Sequence, residues 1–474
     1  MIIEQIYTGC LAQGAYYIQS GNEAAIIDPL REVLPYLEKS ASNQAVIKYV
    51  FETHFHADFV SGHVDLSNQS GATIIYGPNA NPSFSAHIAK DGEVFKLGEI
   101  SIKVLHTPGH TMESTCYLLI DAQGKETALF SGDTLFIGDV GRPDLAQKAA
   151  HITQEELAGM LFTSLREKVM KLDDSVIIYP AHGAGSACGK NMSKETTDTL
   201  RHQKLTNYAL RADVSREEFI NEVTQGLTAP PAYFPMNVKM NREGYDSFAT
   251  VLDRGTHALT PDAFEMLAKE TGALMLDTRE AQIFAKAFIP GSINIGINGN
   301  FAPWVGALVP DIQQPILVIA DHGREKEVIT RLSRVGYDHA IGFLDGGIDA
   351  WIANGKETDE IVSITAEELA DRLGKSNSVN ILDVRNASEY FSEHLKEARN
   401  APLDYINNNM ADLDKGETYY IHCAGGYRSM MFNSILRARG FNHLIDIKGG
   451  FKAITESHKF KTSESVCPGK MNNQ

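Results

Sequence analysis

The chain has 474 residues, enough for about three domains of ~150 residues each, so a single core with a single site is not expected. Charged residues make up 22% and hydrophobic residues 43%, which is the balance of a folded globular protein without long disordered stretches. The net charge of −17, with no basic run, argues against nucleic acid as a partner, because a phosphate backbone is repelled on average.

The N-terminal residues and the cysteines indicate the compartment. Residues 1–29 lack a basic segment followed by an apolar one, and no stretch approaches ~18 uninterrupted apolar residues. We therefore expect a cytoplasmic protein that is neither secreted nor embedded in a membrane. The five cysteines form no CxxC pair, which favours reduced thiols over a disulfide framework or a structural zinc site. They are Cys10 and Cys116, both expected in the core, Cys188, Cys423, and Cys467 in an expected tail.

Residues 1 to about 192 alternate short apolar runs with Gly, Asn, Asp and Pro breaks, which is typical of a strand-rich α/β domain. Four runs predict strands, and each is followed at once by a loop that bears His or Asp. They are Ala45–Glu52, Ile100–Leu105, Thr127–Phe130 and Ser175–Tyr179. The ends of these strands are expected to converge on one place.

The loops after these strands carry candidate metal ligands. His54, His56 and Asp58 stand at i, i+2 and i+4, a spacing that points side chains to one side of an extended backbone. The later loops supply His110, Asp133 and His182. Scattered core or surface histidines are the plain alternative, which the ordered four-part set disfavours.

The HxHxD, PGH, GDT and AHG segments, in this order, resemble the metallo-β-lactamase fold, which implies an αββα sandwich over roughly residues 1–250. Leu135–Leu145 together with Tyr179–His182 look most like persulfide dioxygenases and their glyoxalase II relatives. Glyoxalase-like hydrolases bind two metals, and one ligand is a histidine directly after the Asp of HxHxD. Phe59 occupies that position here and cannot bind a metal. A single metal site is therefore expected, and the resemblance to persulfide dioxygenases implies that it holds one non-haem Fe(II), for which zinc can substitute.

The resemblance to persulfide dioxygenases implies that His54, His110 and Asp133 bind the iron and leave three positions open for substrate sulfur and O₂. It also implies that three further residues orient the ligands or water by hydrogen bonds, or bind metal in an alternative arrangement: His56, Asp58 and His182.

Two further residues are candidates for substrate binding. Arg142 is expected to contact a carboxylate or phosphate of the thiol carrier, with a structural arginine as the alternative. Cys188 lies in a Gly-rich loop six residues after His182, from which it can approach the metal and receive a persulfide; the alternative is a buried thiol.

The sequence turns helical in composition from Ser193 to about Asn221 and breaks at Ala229-Pro230-Pro231. This segment predicts a helical appendage that closes the first domain, residues 1–255. Loops and this appendage are expected to build the pocket for the thiol carrier.

The last 220 or so residues contain an internal repeat. Leu276–Glu280 recurs as Leu382–Asn386, and Phe343–Gly347 recurs as Asp446–Gly450. The spacing of about 100 residues is too long for a solenoid and indicates two duplicated small domains, residues 256–357 and 358–474. Each copy alternates strands and helices, which predicts a parallel sheet covered on both faces.

In the second copy, the strand Tyr419–Ile421 leads into a loop with Cys423, Arg428 and Ser429 ahead of a helix, whose positive end stabilises a thiolate or persulfide. This loop, with the upstream Asp383-Val384-Arg385, resembles the active site of rhodaneses. The resemblance implies that Cys423 carries the sulfane sulfur and that Arg428 holds an anion such as thiosulfate or sulfite. Cysteine phosphatases have a related loop, but the DxR segment and Gly449-Gly450 favour sulfur transfer.

The first copy has Asp321 where Cys423 stands in the second, and its loop to Arg324 is two residues shorter than the loop from Cys423 to Arg428. A carboxylate there repels thiosulfate. We therefore expect residues 256–357 to be a rhodanese-like domain without sulfurtransferase activity, serving as a spacer or docking surface.

The sequence thus predicts iron-dependent oxidation of a small-thiol persulfide to sulfite, coupled to transfer of sulfur among persulfide, sulfite and thiosulfate in sulfide detoxification. The direction of transfer and the thiol carrier stay open. A zinc thiolester hydrolase of the glyoxalase II kind is the rival enzyme, and a persulfide sensor acting through Cys423 is the non-enzymatic alternative. A homodimer or homotetramer is expected.

Overall fold

The computed structural model describes residues 1–147, 152–227, 229–374 and 379–463. The chain forms two compact units. The first comprises residues 1–250 with 310–312 and 330–338, and the second comprises the remainder from residue 251. In the described ranges, every helix is too short or too polar to cross a membrane. The boundaries predicted near residues 255 and 357 stay a prediction.

The first unit contains two six-stranded sheets, in the orders β1-β2-β3-β4-β5-β6 and β12-β11-β10-β9-β8-β7. The strands of the first sheet are β1 (Ile2–Thr8), β2 (Gln13–Ser20), β3 (Glu23–Ile27), β4 (Val46–Phe51), β5 (Thr73–Tyr76) and β6 (His87–Ile88). The strands of the second sheet are β7 (Val94–Leu97), β8 (Ile100–His106), β9 (Thr115–Ile120), β10 (Glu126–Gly132), β11 (Ile177–Pro180) and β12 (Asp198–Thr199).

Helices cover the outer faces of both sheets. They are α1 (Leu34–Ser42), α2 (His63–Ser70), α3 (Gln154–Glu167), α4 (Leu200–Thr206), α5 (Arg216–Thr224) and α6 (Phe234–Glu243), followed by α7 (Phe248–Gly255), which leads into the second unit; 3₁₀ turns occupy Val169–Lys171 and Tyr208–Leu210.

Three apolar clusters establish the layers of this unit. Tyr16 and Phe51 of the first sheet pack with Tyr117 and Phe130 of the second, so one core lies between the sheets. Separate clusters join the first sheet to α1 and α2, and the second sheet to α3 and α5. The order helix, sheet, sheet, helix is that of an αββα sandwich, and the predicted α/β class is confirmed.

The four strands predicted to precede the His- and Asp-bearing loops are β4, β8, β10 and β11, each shifted by at most a few residues. The predicted helical appendage begins later than expected. Asp198–Thr199 pairs with β11 as a short strand, and the Thr199 side chain accepts a hydrogen bond from the His202 amide, so this threonine caps α4. A threonine at this position starts a helix rather than continuing one.

The second unit contains two five-stranded sheets, in the orders β13-β17-β16-β14-β15 and β18-β22-β21-β19-β20, and every strand pair in them is parallel, as the repeat predicts. The strands are β13 (Ala258–Leu259), β14 (Leu274–Asp277), β15 (Ile293–Asn294), β16 (Ile316–Ile319), β17 (Ala340–Leu344), β18 (Val362–Ile364), β19 (Asn380–Asp383), β20 (Ala398–Asn400), β21 (Tyr419–His422) and β22 (Leu444–Ile447).

The helices of the second unit connect these parallel strands. They are α8 (Pro261–Thr271), α9 (Ala281–Phe284), α10 (Phe301–Leu308), α11 (Glu325–Ser333), α12 (Gly347–Ala353), α13 (Ala366–Leu373), α14 (Ala387–Ser392), α15 (Ile406–Ala411), α16 (Tyr427–Ala438) and α17 (Gly450–Glu456), with a 3₁₀ turn at Leu403–Tyr405; the end of α11 belongs to the first unit.

The repeated DxR segment forms a buried ion pair. In the second copy, Arg385 Nε lies 3.0 Å from Asp383 Oδ1, its Nη2 lies 2.6 Å from Oδ2, and Nη2 also donates to the carbonyl of Glu393. Both side chains are less than a tenth exposed. This pair ties the end of β19 to the loop after α14, beside the Cys423 loop.

Replacing Arg385 with alanine is expected to lower the free energy of unfolding of the second unit by about 3–5 kcal/mol, because a buried carboxylate loses its partner. Both tryptophans of the chain, Trp304 and Trp351, lie in this unit, so urea unfolding followed by tryptophan fluorescence reports on it alone. Arg372→Ala, at an exposed position of the same unit, is the control. Equal midpoints for the two variants would show that the pair adds no stability.

Candidate metal centre and cysteine loop

Three side chains from three different loops meet at the end of the sandwich in the first unit. His54 follows β4, His110 follows β8, and Asp133 follows β10. His110 Nε2 lies 3.4 Å from Asp133 Oδ2, and His54 Nε2 lies 3.9 Å from the same oxygen. All three are buried, with exposed fractions of 1–2%. The structure therefore brings the three predicted iron ligands together.

Hydrogen bonds on the far sides of the rings orient these donors. His110 Nδ1 lies 2.8 Å from the Arg142 carbonyl, and His54 Nδ1 lies 3.0 Å from Thr53 Oγ1. A ring nitrogen that donates to a carbonyl leaves the other nitrogen with a lone pair. Both Nε2 atoms therefore face Asp133 in the form that a metal requires.

The charge states of the group also suit a cation. Burial lowers the pKa of His54 well below its usual value, and His56 adds to the effect, so the ring is neutral. Burial opposes ionisation of Asp133, but His182, His110 and His54 outweigh it and hold the pKa of this carboxyl below its usual range. Within the described residues, Asp133 Oδ2 is buried and has no hydrogen-bond partner. The neutral imidazole of His54, the His110 ring beside it and a carboxylate oxygen without a hydrogen-bond partner fit a divalent metal.

Close packing fixes the position of the loop after β10 against the loop after β4. Gly132 has a φ of +53°, and a Cβ there would lie 2.7 Å from the Cβ of Thr53. Only glycine allows this backbone conformation and this approach without strain. The GDT segment is thereby pressed against the HxHxD loop, which sets the separation between Asp133 and His54.

The HxHxD loop differs from the expectation that its three side chains point to one place. His56 turns away from the group of His54: its Nε2 lies 3.1 Å from Asp28 Oδ1 and 3.5 Å from Glu52 Oε2, and its ring stacks on Phe59 at 4.3 Å. The loop is irregular rather than extended, so alternation does not apply to it.

Asp58 joins a further group. Its Oδ2 lies 2.8 Å from His182 Nε2, while His182 Nδ1 lies 2.8 Å from Asp133 Oδ1. Burial opposes protonation of His182, but the two carboxylates outweigh it and raise the pKa of this imidazole well above its usual value. His182 thus connects Asp58 to Asp133, and it lies beside the predicted ligands.

Cys188 completes this second group, because donor atoms of Asp58, His182 and Cys188 lie within 4.8 Å of one another. Burial, together with Asp58 and Asp133, raises the pKa of the Cys188 thiol well above its usual value. A thiol whose pKa is raised stays protonated at neutral pH and is a weak nucleophile. A persulfide on Cys188 stays a prediction.

Arg142 occupies a structural position. Its guanidinium pairs with Asp144 through two contacts of 2.6 and 2.7 Å and donates to the Ala187 carbonyl. Its own carbonyl accepts from His110. These contacts make Arg142 a support for a metal ligand, whereas the predicted contact with a thiol carrier stays a prediction.

A cavity of about 300 Å³ opens beside His110. Phe55, Met112, Val238 and Arg242 are among the residues that line it. The last two lie on α6, which the sequence assigned to the end of the first domain without placing its contacts. Arg242 was missed because nothing in its local sequence distinguishes it from a surface arginine.

The second site lies at the end of β21. Cys423 is 1% exposed, and the Gly426 amide donates to its sulfur at 3.1 Å, where α16 begins. Arg428 pairs with Glu389 through two contacts of 2.6 and 2.8 Å. One amide of the loop contacts the sulfur, and the arginine expected to hold an anion already has a carboxylate partner.

A cavity of about 610 Å³ opens at this loop, and both repeats line it. The second copy supplies Gly425 to Arg428, and the first supplies Glu280, Gln282, Asn298, Asn300 and Trp304. The Tyr427 hydroxyl donates to the Gly296 carbonyl at 2.6 Å, which holds the two copies together there. The corresponding loop of the first copy, between β16 and α11, contains Asp321 and Arg324, and Arg324 pairs with Glu327. Cys467 lies outside the described residues.

Comparisons with known proteins match the N-terminal part and the C-terminal part of the chain to two different families. The model of the metallo-beta-lactamase superfamily matches residues 8–182, and the model of the rhodanese-like domain matches residues 260–354 and 365–457. A probable hydroxyacylglutathione hydrolase of Schizosaccharomyces pombe is 33% identical over 161 residues, which are 33% of this chain and 58% of the relative. The chain thus spans about three fifths of the length of that relative.

Two solved structures are similar as well. The metallo-beta-lactamase from Staphylococcus aureus subsp. aureus COL is 30% identical, with a TM-score of 0.63, and the match covers 73% of this chain and 98% of that one. ETHE1 from Myxococcus xanthus is 28% identical, with a TM-score of 0.44, and the match covers 51% of this chain and 98% of that one.

Proposed function

The chain belongs to the metallo-β-lactamase superfamily and carries two rhodanese-like domains. From this we propose that it is an iron-dependent persulfide dioxygenase joined to a sulfurtransferase. The first reaction is RSSH + O₂ + H₂O → RSH + SO₃²⁻ + 2 H⁺. In the second, the Cys423 thiolate and thiosulfate exchange the sulfane sulfur to give the Cys423 persulfide and sulfite, or the reverse. Residues 1–255 are assigned to the first reaction, 358–474 to the second, and 256–357 to a domain without a nucleophile.

The observation that carries the proposal is the donor set of His54, His110 and Asp133, with Phe59 at the position where a two-metal hydrolase has a further histidine. Two imidazoles and one carboxylate with open positions suit non-haem iron. When bound, iron supplies the redox chemistry by which oxygen is transferred to sulfur. Asp28 and Glu52 keep His56 turned away, which preserves the open positions.

The protein's own residues bind and orient the reactants. The cavity beside His110 is lined by apolar side chains and by polar ones that include Glu113 and Arg242, whose guanidinium pairs with Glu243, so a small organic thiol carrier fits it with its sulfur toward His110. The Arg142 carbonyl fixes the His110 ring, and His182 fixes Asp133. These contacts prevent the ligand side chains from rotating when substrate enters.

A thiolester hydrolase is the second candidate, because the Schizosaccharomyces pombe relative is a probable hydroxyacylglutathione hydrolase and because Asp58, His182 and Cys188 form a further donor group beside the first. Products separate the two functions. The dioxygenase releases sulfite from glutathione persulfide and leaves S-lactoylglutathione intact; cleavage of the thiolester without release of sulfite would establish the hydrolase instead.

The cavity at the Cys423 loop is expected to bind an organic thiol carrier in addition to the thiosulfate of the second reaction. Its volume of about 610 Å³ lies within the range of pockets for organic ligands, and its one arginine is paired with Glu389. Trp304 is the largest aromatic side chain among the residues that line it.

Trp304→Ala is therefore expected to raise KM for glutathione persulfide in sulfur transfer about tenfold, the equivalent of about 1.4 kcal/mol. Because thiosulfate has no organic group that could pack on Trp304, its KM should change less than about twofold. Phe391→Ala, an aromatic truncation at a 60% exposed position of the same unit, is the control. An equal change in KM for glutathione persulfide and for thiosulfate would show that the thiol carrier does not bind against Trp304.

A further inference from the structure

A chain of hydrogen bonds runs inward from the sulfur of Cys423. The Cys423 thiol donates to Ser429 Oγ across 3.8 Å, and the Ser429 hydroxyl donates to Asp446 Oδ1 across 2.8 Å. Gln282, which belongs to the first repeat, donates its side-chain amide to Asp446 Oδ2 at 2.8 Å. The two links between the sulfur and Asp446 run in the same direction, and Asp446 at 2.8 Å is a nearer acceptor for the Ser429 hydroxyl than the Gly426 carbonyl at 3.2 Å, so a proton can pass from the sulfur to the carboxylate.

Asp446 is built to accept that proton. It lies on β22, an inner strand of the sheet between β18 and β21, and is completely buried. Its hydrogen-bond donors are neutral: the hydroxyls of Ser429 and Ser363 and the amide of Gln282. Burial raises the pKa of Asp446 to about 6, although these three donors and the charge of Lys448 act in the opposite direction. The carboxyl thus exchanges its proton close to neutral pH, unlike an ordinary aspartate.

We propose that Ser429 and Asp446 form a proton path that converts the Cys423 thiol into the thiolate needed for sulfur transfer. The thiol proton moves to Ser429 Oγ while the hydroxyl proton of Ser429 moves to Asp446. The thiolate then attacks the outer sulfur of RSSH, a new S–S bond forms to Cys423, the S–S bond of the donor breaks, and RS⁻ leaves to take up a proton. This inference rests on the proposed sulfurtransferase function.

The other ionisable groups around Cys423 are less suited to this task. Arg428 is bound to Glu389, which is thereby kept ionised. Asp404 contributes charge near Arg428 without a hydrogen bond to the sulfur. His422 turns its Nδ1 toward the Cys423 carbonyl, and burial lowers the pKa of this imidazole. Lys448 carries only a positive charge toward Asp446. Asp446 is the carboxyl that hydrogen bonds connect to the sulfur.

The repeat provides an internal comparison. Alignment of Phe343–Gly347 with Asp446–Gly450 puts Phe343 in the place of Asp446, and Asp321 stands where Cys423 does. The copy that lost the nucleophile therefore lacks the buried acid as well. The first copy nonetheless contributes Gln282 to the path, which gives this domain a positioning role in the chemistry of the second.

The test is the rate at which iodoacetamide alkylates Cys423 in the full chain, resolved by peptide mass spectrometry between about pH 5 and pH 8. Asp446 accepts a proton only when ionised, so the native rate should rise through a step near pH 6. Asp446→Asn and Ser429→Ala should both remove the step. Gln282→Ala should move it to higher pH, because the amide hydrogen bond lowers the pKa of Asp446.

The rate of sulfur transfer at neutral pH should fall about a hundredfold in Asp446→Asn, the low end for general acid–base catalysis. Tryptophan fluorescence identifies a variant that fails to fold. In that case Gln282→Ala still tests the path, because the pH at which its alkylation rate rises should differ from that of the native protein. A native profile without a step near pH 6, or one unchanged in Gln282→Ala and Ser429→Ala, would overturn the inference. Alkylation needs no sulfur donor. A protein whose alkylation rate rises near pH 6 but which transfers no sulfur would therefore refute the proposed function while supporting the proton path.

Discussion

Replacing His110 with alanine is expected to abolish metal binding and oxygen uptake together. His110 is one of three donors, and its Nε2 lies 3.4 Å from the unpartnered oxygen of Asp133. Loss of a residue that only orients a ligand costs about 10–100-fold in affinity or activity, so loss of the ligand itself should cost about a thousandfold or more. Metal analysis of the purified variant and an oxygen electrode with glutathione persulfide measure the two effects.

His87→Ala is the matched control, because this histidine lies on the exposed strand β6 of the same unit, pairs with Glu93 and packs on the Phe95 ring. It should retain the native metal content and the native rate. Sulfur transfer by Cys423 should be unaffected in both variants, since that site uses no metal. A His110→Ala protein that keeps its metal and its oxygen uptake would show that the metal is bound elsewhere.

Replacing Cys423 with serine is expected to eliminate sulfur transfer between thiosulfate and a thiol while leaving oxygen uptake with added persulfide unchanged. A serine oxygen cannot carry a sulfane sulfur, so no turnover remains by this route. The Cys423 loop lies in the second unit, whereas the three metal-binding candidates lie in the first. With thiosulfate and thiol in place of persulfide, oxygen uptake should fall to the background.

Cys10→Ser, at a partly exposed position of the first unit, is the control for the loss of a thiol. Mass spectrometry of native protein incubated with thiosulfate should find one added sulfur on Cys423. Transfer that persists in Cys423→Ser would assign the sulfur carrier to another cysteine, with Cys188 as the first to examine.

Much of the fold follows from local patterns. The apolar runs of β4, β8, β10 and β11 end in loops that supply His54, His110, Asp133 and His182, and parallel or antiparallel pairing brings those ends to one edge. The repeat of the DxR segment predicts two parallel sheets, which the structure contains. Strand composition and turn residues act over short distances, and therefore they can be recognised in a single sequence.

The directions of side chains could not be predicted in this way. His56 shares a motif with His54 but turns to Asp28 and Glu52, because the loop is irregular and those partners are held by other strands. Arg142 and Arg428 looked like binding residues, yet both pair with carboxylates that the fold brings to them. Asp446 and Gln282 are 164 residues apart, so no local pattern reveals their contact.

The measurement that tests the central claim most directly is the metal content of protein purified without oxygen, combined with oxygen uptake after glutathione persulfide is added. We expect about one iron per chain, consumption of one O₂ per persulfide, and release of sulfite, as the proposed reaction and its single metal centre require. Two zinc ions per chain, no uptake of oxygen and cleavage of S-lactoylglutathione would contradict the account and establish a hydrolase.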